Sequence, residues 1–271
     1  MLETHSVPLG KTGEAGARSS AAGAAGPRWA GWLSLPLGLA VILVLWTGLS
    51  RLYPPFILPG PDDVAARFVQ AVADGTLLRH LSVTLVEALL GFAVGFVVAV
   101  VLGYGIAKHP LIERVVSPYV VASQAVPIVA LAPLLILWFG HGLSSKVLVC
   151  ALVVFFPILV NTVVALRSVD TQSRELMRSL NASAWQTFSK LELPASLPIL
   201  FGGVRMGVTL CVIGAVVGEF VGADTGLGAL VNLARGMFDT ALMFVALFTL
   251  IALAMSLYLL VTALERVVTR P

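Results

Sequence analysis

Three ionisable residues lie inside or at the edge of long apolar runs: Glu87, Arg205 and Glu219. Charge in hydrocarbon is costly, so such residues point by default to function, tempered by their depth. Arg205 and Glu219 stand fourteen positions apart, which is about 21 Å along a helix. That separation predicts opposite bilayer boundaries, where long side chains reach polar surroundings. Glu219 is the stronger candidate pathway residue. The other reactive groups are dispersed. Cys150 and Cys211 are each embedded in an apolar run and read as packing residues. His5, His80, His109 and His141 fall in separate loops and make no metal site. Gly10-Lys11-Thr12 imitates the end of a phosphate-binding loop, but His5 occupies the place of that loop's first glycine. Nothing in the pattern supports catalysis by this chain, and no metal or cofactor is expected on it.

The elements that would position these groups follow from the apolar blocks. Of 271 residues, 58% are hydrophobic and 11% are charged, against roughly 45–50% and about 25% in soluble domains. A span needs about 20 mostly apolar residues. Six segments qualify, roughly 32–52, 81–107, 118–139, 146–166, 197–222 and 240–264, within a membrane domain covering 31–271. The runs are continuously apolar, not alternating, which excludes a lipid-facing barrel. Residues 1–30 are rich in Gly, Ala and Ser and read as a disordered cytoplasmic tail. The net charge of +3 comes without a basic cluster interleaved with aromatics, which excludes a nucleic-acid surface.

Lys and Arg are retained on the cytoplasmic side of a membrane. With the N-terminus inside, only Arg51, Arg67, Arg79, Lys146 and Arg235 of the seventeen basic residues fall outside. Both termini are therefore expected in the cytoplasm. The outer connection, 51–80, contains a predicted short helix from Asp62 to Ala73. The inner connection, 167–196, carries Leu176, Leu180, Ala184 and Phe188 at four-residue spacing, which predicts a helix with one apolar face. An exposed apolar face in water calls for a partner. Asn181-Ala182-Ser183 is formally a glycosylation sequon, but this segment lies on the cytoplasmic side.

Within the spans, small residues recur along one face: Gly91, Gly95, Ala99, Gly103 and Ala107, and again Gly203, Gly207, Gly214, Gly218 and Gly222. Such stripes predict close helix packing, here chiefly inside one subunit. Pro127, Pro133 and Pro157 are expected to kink the third and fourth spans.

The inner connection also carries a family resemblance. Glu175-Leu176-Met177-Arg178-Ser179-Leu180-Asn181-Ala182-Ser183, followed by Leu191-Glu192-Leu193-Pro194, resembles the cytoplasmic signature of binding-protein-dependent ABC importer permeases. In that family the signature runs Glu-Ala-Ala, then Gly, then an apolar residue and Leu-Pro. Here Leu176-Met177 replaces the alanine pair and Asn181 the glycine; Asn is the side chain most tolerant of positive φ. Pro127-Ile128-Val129-Ala130-Leu131-Ala132-Pro133-Leu134, Trp138-Phe139-Gly140 and Gly218-Glu219-Phe220 through Gly226-Leu227-Gly228 are similar to the subgroup that imports nitrate, sulfonates, taurine or vitamin precursors. Ser123-Gln124, Phe155-Phe156-Pro157-Ile158 and Val212-Ile213-Gly214-Ala215-Val216-Val217 are nearest to its pyrimidine and riboflavin permeases.

The resemblance implies an all-α, type I ABC importer permease fold. It implies that Glu175, Leu176, Arg178, Leu180, Asn181, Ala182, Phe188, Leu193 and Pro194 couple the chain to a separate ATP-hydrolysing subunit pair, where ATP is bound. Glu219 and Gln124 are the candidate pathway residues. The other implied partners are an extracytoplasmic substrate-binding protein, a second permease copy and membrane lipid. An ion-coupled carrier is the rival of another class; it wants mid-bilayer acids and an internal repeat, and neither is evident. A membrane scaffold would explain six spans but not an amphipathic loop ending in Leu-Pro.

Overall fold

The computed structural model describes residues 28–269, and every element among them is helical. The expected tail up to residue 27 lies outside the described residues; helix begins at Arg28. Two units are distinguished, 1–45 and 46–271, so α1 (Arg28–Ser50) starts in the first and ends in the second. The described part of the first unit is apolar helix containing Pro36.

The second unit continues with α2 (Pro61–Ala73), α3 (Thr76–Lys108), α4 (Pro110–Gln124), α5 (Ile128–Phe139) and α6 (Leu143–Arg167). After these come α7 (Thr171–Ser179), α8 (Ala184–Thr187), a π-helical turn (Phe188–Glu192), α9 (Leu193–Phe220), α10 (Leu227–Gly236) and α11 (Thr240–Val268). Four helical stretches, α3, α6, the run from α8 through α9, and α11, are long and apolar enough to cross a membrane. Their outward faces carry side chains such as Val97, Val101, Ile213 and Ile251 that suit lipid and not water.

One expected span is corrected. The segment 118–139 is not one kinked helix but two, α4 and α5, bent by 93° where they meet. Pro127 is the cause: it has no N–H to continue the ladder and biases Val126 away from helical backbone. The Ala125 N–H donates to the Ala122 carbonyl and the Val126 N–H to the Ser123 carbonyl, closing α4, and Pro127 then caps α5. Pro133 and Pro157, in contrast, lie inside continuous helices.

The core is α6 held between α3 and α9. Both small-residue stripes face it. A methyl group on Gly95 would stand 2.7 Å from the Ala151 carbonyl oxygen, and one on Gly214 would stand 2.8 Å from Cys150 Cα. Gly91 likewise has no room for a side chain beside Cys150 Cβ. The register fixes direction: Gly91 to Gly103 run alongside Val147 to Thr162, so α3 and α6 are parallel. Gly203 to Gly218 meet Asn161 back to Lys146, so α9 is antiparallel to both. An Arg205–Glu265 ion pair of 3.4 Å links the middle of α9 to the end of α11. Arg67 pairs with Asp239 at 2.9 Å and fastens α2 to the cap of α11.

Candidate functional site

Two polar constructions occupy opposite ends of the bundle. The first is the segment from α7 to the start of α9. Asp170 caps α7 by accepting from the Ser173 backbone N–H at 3.0 Å, and these Ser173 bonds hold its carboxyl below the usual carboxylate range. The helix stops at Asn181, whose φ of 52° is left-handed. The Ala182 N–H then reaches back to the Met177 carbonyl at 3.0 Å, closing the end as a glycine would. Ser183 and Gln186 form a capping box that starts α8 at once. Further on, Pro194 has no N–H, and its ring crowds the carbonyl four residues back. Immediately before it the helix widens into the π turn, with the Leu193 N–H donating to the Phe188 carbonyl.

The expected continuous apolar face is therefore divided. Leu176 and Leu180 are 60% and 67% exposed on and after α7, with Glu175 and Arg178 exposed beside them. Phe188 turns inward, edge-on to Tyr104 of α3 at 5.3 Å between ring centres. Trp185 is 71% exposed and packs on Phe188. Leu193 and Pro194 are exposed at the start of α9, and Ala182 is half-buried in the turn.

Beneath this surface sits a group that sequence reading missed. Glu192 is fully buried, and its Oε1 accepts from Lys108 Nζ at 2.5 Å and from Arg174 Nη1 at 2.9 Å. Arg174 Nη2 donates in addition to the Leu166 carbonyl at 2.5 Å. The three charges lie 84 and 18 positions apart in the chain, so no local spacing announces them. Arg167, at the end of α6, and Glu113 of α4 form a further ion pair.

The second construction involves Glu219, which is 1% exposed. Its Oε1 accepts from the Thr84 hydroxyl at 2.6 Å and its Oε2 from the Gly228 N–H at 2.5 Å. Thr84 Oγ1 in turn accepts from the Leu227 N–H at 2.7 Å. Glu87, also buried, pairs with Lys146 Nζ at 2.9 Å. His80 Nδ1 lies 2.7 Å from the Gly226 carbonyl oxygen. Acids and a lysine that the sequence presents singly thus meet in one cluster joining α3, α6, α9 and α10. Gln124, the other candidate pathway residue, is far from it in the fold order and exposed at the end of α4, beside the 93° bend.

An antiparallel bundle of long apolar helices, with a capped polar segment at one end, has the make-up of a multi-pass membrane protein. Residues 91–270 match the family of the binding-protein-dependent transport system inner membrane component, and the chain belongs to it: it is an ABC importer permease. It is 51% identical over 240 residues to the riboflavin transport system permease protein RibX of Chloroflexus aurantiacus, covering 88% of this chain and 90% of that one. It is 36% identical over 228 residues to the formylaminopyrimidine transport permease protein ThiX of Halalkalibacterium halodurans, covering 84% and 91%. Among solved structures, a chain of the inward-facing MetNI methionine ABC transporter superposes with a TM-score of 0.60 at 24% identity, over 72% of this chain and 94% of that one. That likeness shows the fold.

Proposed function

We propose that this chain carries a heterocyclic vitamin or vitamin precursor, riboflavin before a thiamine pyrimidine, across the bacterial inner membrane. The observation that carries the reading is 51% identity to a riboflavin permease across nearly the whole of both chains. A separate pair of ATPase subunits supplies the energy, and an extracytoplasmic binding protein delivers the solute to two permease copies. Closure of the ATPases on ATP moves the docking segment and rocks the spans between inward- and outward-facing states. Glu175, Leu176, Arg178 and Leu180 form the docking face, Asn181 and Ala182 shape its turn, and Phe188, Leu193 and Pro194 join it to the bundle. Gln124 lines the pathway, whereas Glu219 orders its outer end.

Uptake decides the substrate. Cells that depend on this system are expected to lose accumulation of labelled riboflavin when the gene is deleted, and excess taurine is expected not to compete in the wild type. Competition by formylpyrimidine or taurine but not by riboflavin would reassign the substrate to the thiamine-precursor or sulfonate class.

Orientation is tested separately. The Lys and Arg distribution supports a cytoplasmic docking segment. Ala73 and Ser183 are both exposed, at the end of α2 and before α8. An impermeant thiol reagent added outside intact cells is expected to label Ala73→Cys and spare Ser183→Cys; the reverse pattern would invert the topology.

A further inference from the structure

We infer that Glu192 is a positioning residue for transport, tying the docking segment to the ends of three membrane-spanning helices through a single carboxylate oxygen. The inference rests on the docking reading above. Lys108 is the last residue of α3, Leu166 lies in the last turn of α6, Arg174 belongs to α7 and Glu192 directly precedes α9. Lys108 and Arg174 converge on Glu192 Oε1, while Oε2 is buried with no hydrogen-bond partner. The same guanidinium that holds Glu192 also holds the Leu166 carbonyl. Charge-assisted bonds at fixed, buried geometry make a stiff connection. Arg174 is also next in sequence to Glu175 on the exposed docking face, so a displacement there is applied one residue from the tie.

The tie also occupies an unusual piece of backbone. Glu192 ends the π turn, and such turns mark places where a helix departs from regular register at functional positions. Regular α-helix through Pro194 would rotate Glu192 relative to Lys108. The π turn and the ion cluster are therefore parts of one arrangement. Movement of α7 toward or away from the membrane pulls on α3 through Lys108, on α6 through Arg174, and on α9 directly.

The test uses the complete complex of permease and ATPase in nanodiscs, with Cys150 and Cys211 replaced by Ala and Gln124→Cys as a reporter that needs no known substrate. ATP binding is expected to change the labelling rate of the reporter in the wild-type background. K108M keeps Glu192 paired with Arg174, and E192Q keeps the side-chain shape; both are expected to bind the ATPase and hydrolyse ATP. The ATP-driven change in labelling is expected to fall about tenfold in each, and K108R, which keeps the cation, is expected to restore it. Wild-type response in K108M, or equal responses in K108M and K108R, would overturn the inference. Failure of both variants to assemble would also overturn it, since the cluster would then serve folding alone. If the unmodified permease binds no ATPase, or binds it without the reporter responding, the docking reading itself fails, a result distinct from the others.

Discussion

Leu180→Arg is expected to abolish uptake while leaving the permease folded in the membrane. Leu180 is 67% exposed at the end of α7 and makes no demand on the core. Arg is as good a helix former as Leu, so the local structure is unaffected. The effect appears only when the ATPase covers this position, because a guanidinium buried without a partner is strongly unfavourable. A penalty of about 3 kcal/mol weakens association roughly a hundredfold. Co-purification of the ATPase with equal amounts of wild-type and mutant permease reads this directly, together with uptake. Wild-type association and uptake in the mutant would remove Leu180 from the docking surface.

The second large effect is expected at the opposite end. Glu219→Ala deprives the Gly228 N–H of its acceptor, leaves the Thr84 hydroxyl only its longer 3.2 Å bond to the His80 carbonyl, and opens a void among α3, α9 and α10. Each buried donor left unpaired costs about 1–3 kcal/mol, and the void adds to this. Such a sum is a large fraction of the stability of an ordinary domain, about 5–15 kcal/mol. The variant is expected to accumulate poorly and to unfold at markedly lower temperature in detergent. Glu219→Gln, which keeps one acceptor oxygen, is expected to lose less. Equal thermal unfolding of wild type and Glu219→Ala would show that this carboxylate does not hold its end of the bundle together.

The long helices were legible because their signal is local: twenty or more apolar residues permit little besides a span. Close packing by Gly91 to Gly103 and Gly203 to Gly218 was legible for the same reason, since a small-residue stripe is a property of one helix. The 93° bend between α4 and α5 was only half visible. Pro127 marks a break, but the angle is set by what α5 packs against, since its Ala132 and Leu135 cluster with Val149 and Leu152 of α6 and Val217 of α9. Four apolar positions in the docking segment matched one helical face, yet Asn181 ends the helix between the second and third. Asp170 before Thr171 and the Ser183–Gln186 box were local signals of two separate starts and could have divided the segment. The Glu192 cluster had no such signal, because its members come from distant parts of the chain. Glu87, Lys146 and Glu219 each read as a separate charge, and only the fold makes them neighbours.

The seating of Cys150 has a mechanical consequence. With Gly91 pressed on one side of it and Gly214 on the other, the middle of α6 can neither slide nor swivel against its two neighbours without atoms overlapping. The three helices α3, α6 and α9 therefore move as one rigid plate. Motion that opens or closes a passage is then left to the plate's margins. The natural place on this chain is the elbow between α4 and α5, because α4 buries none of its side chains in the described structure and Pro127 has already released its backbone. The chain thus combines a stiff slab with a jointed arm at its edge.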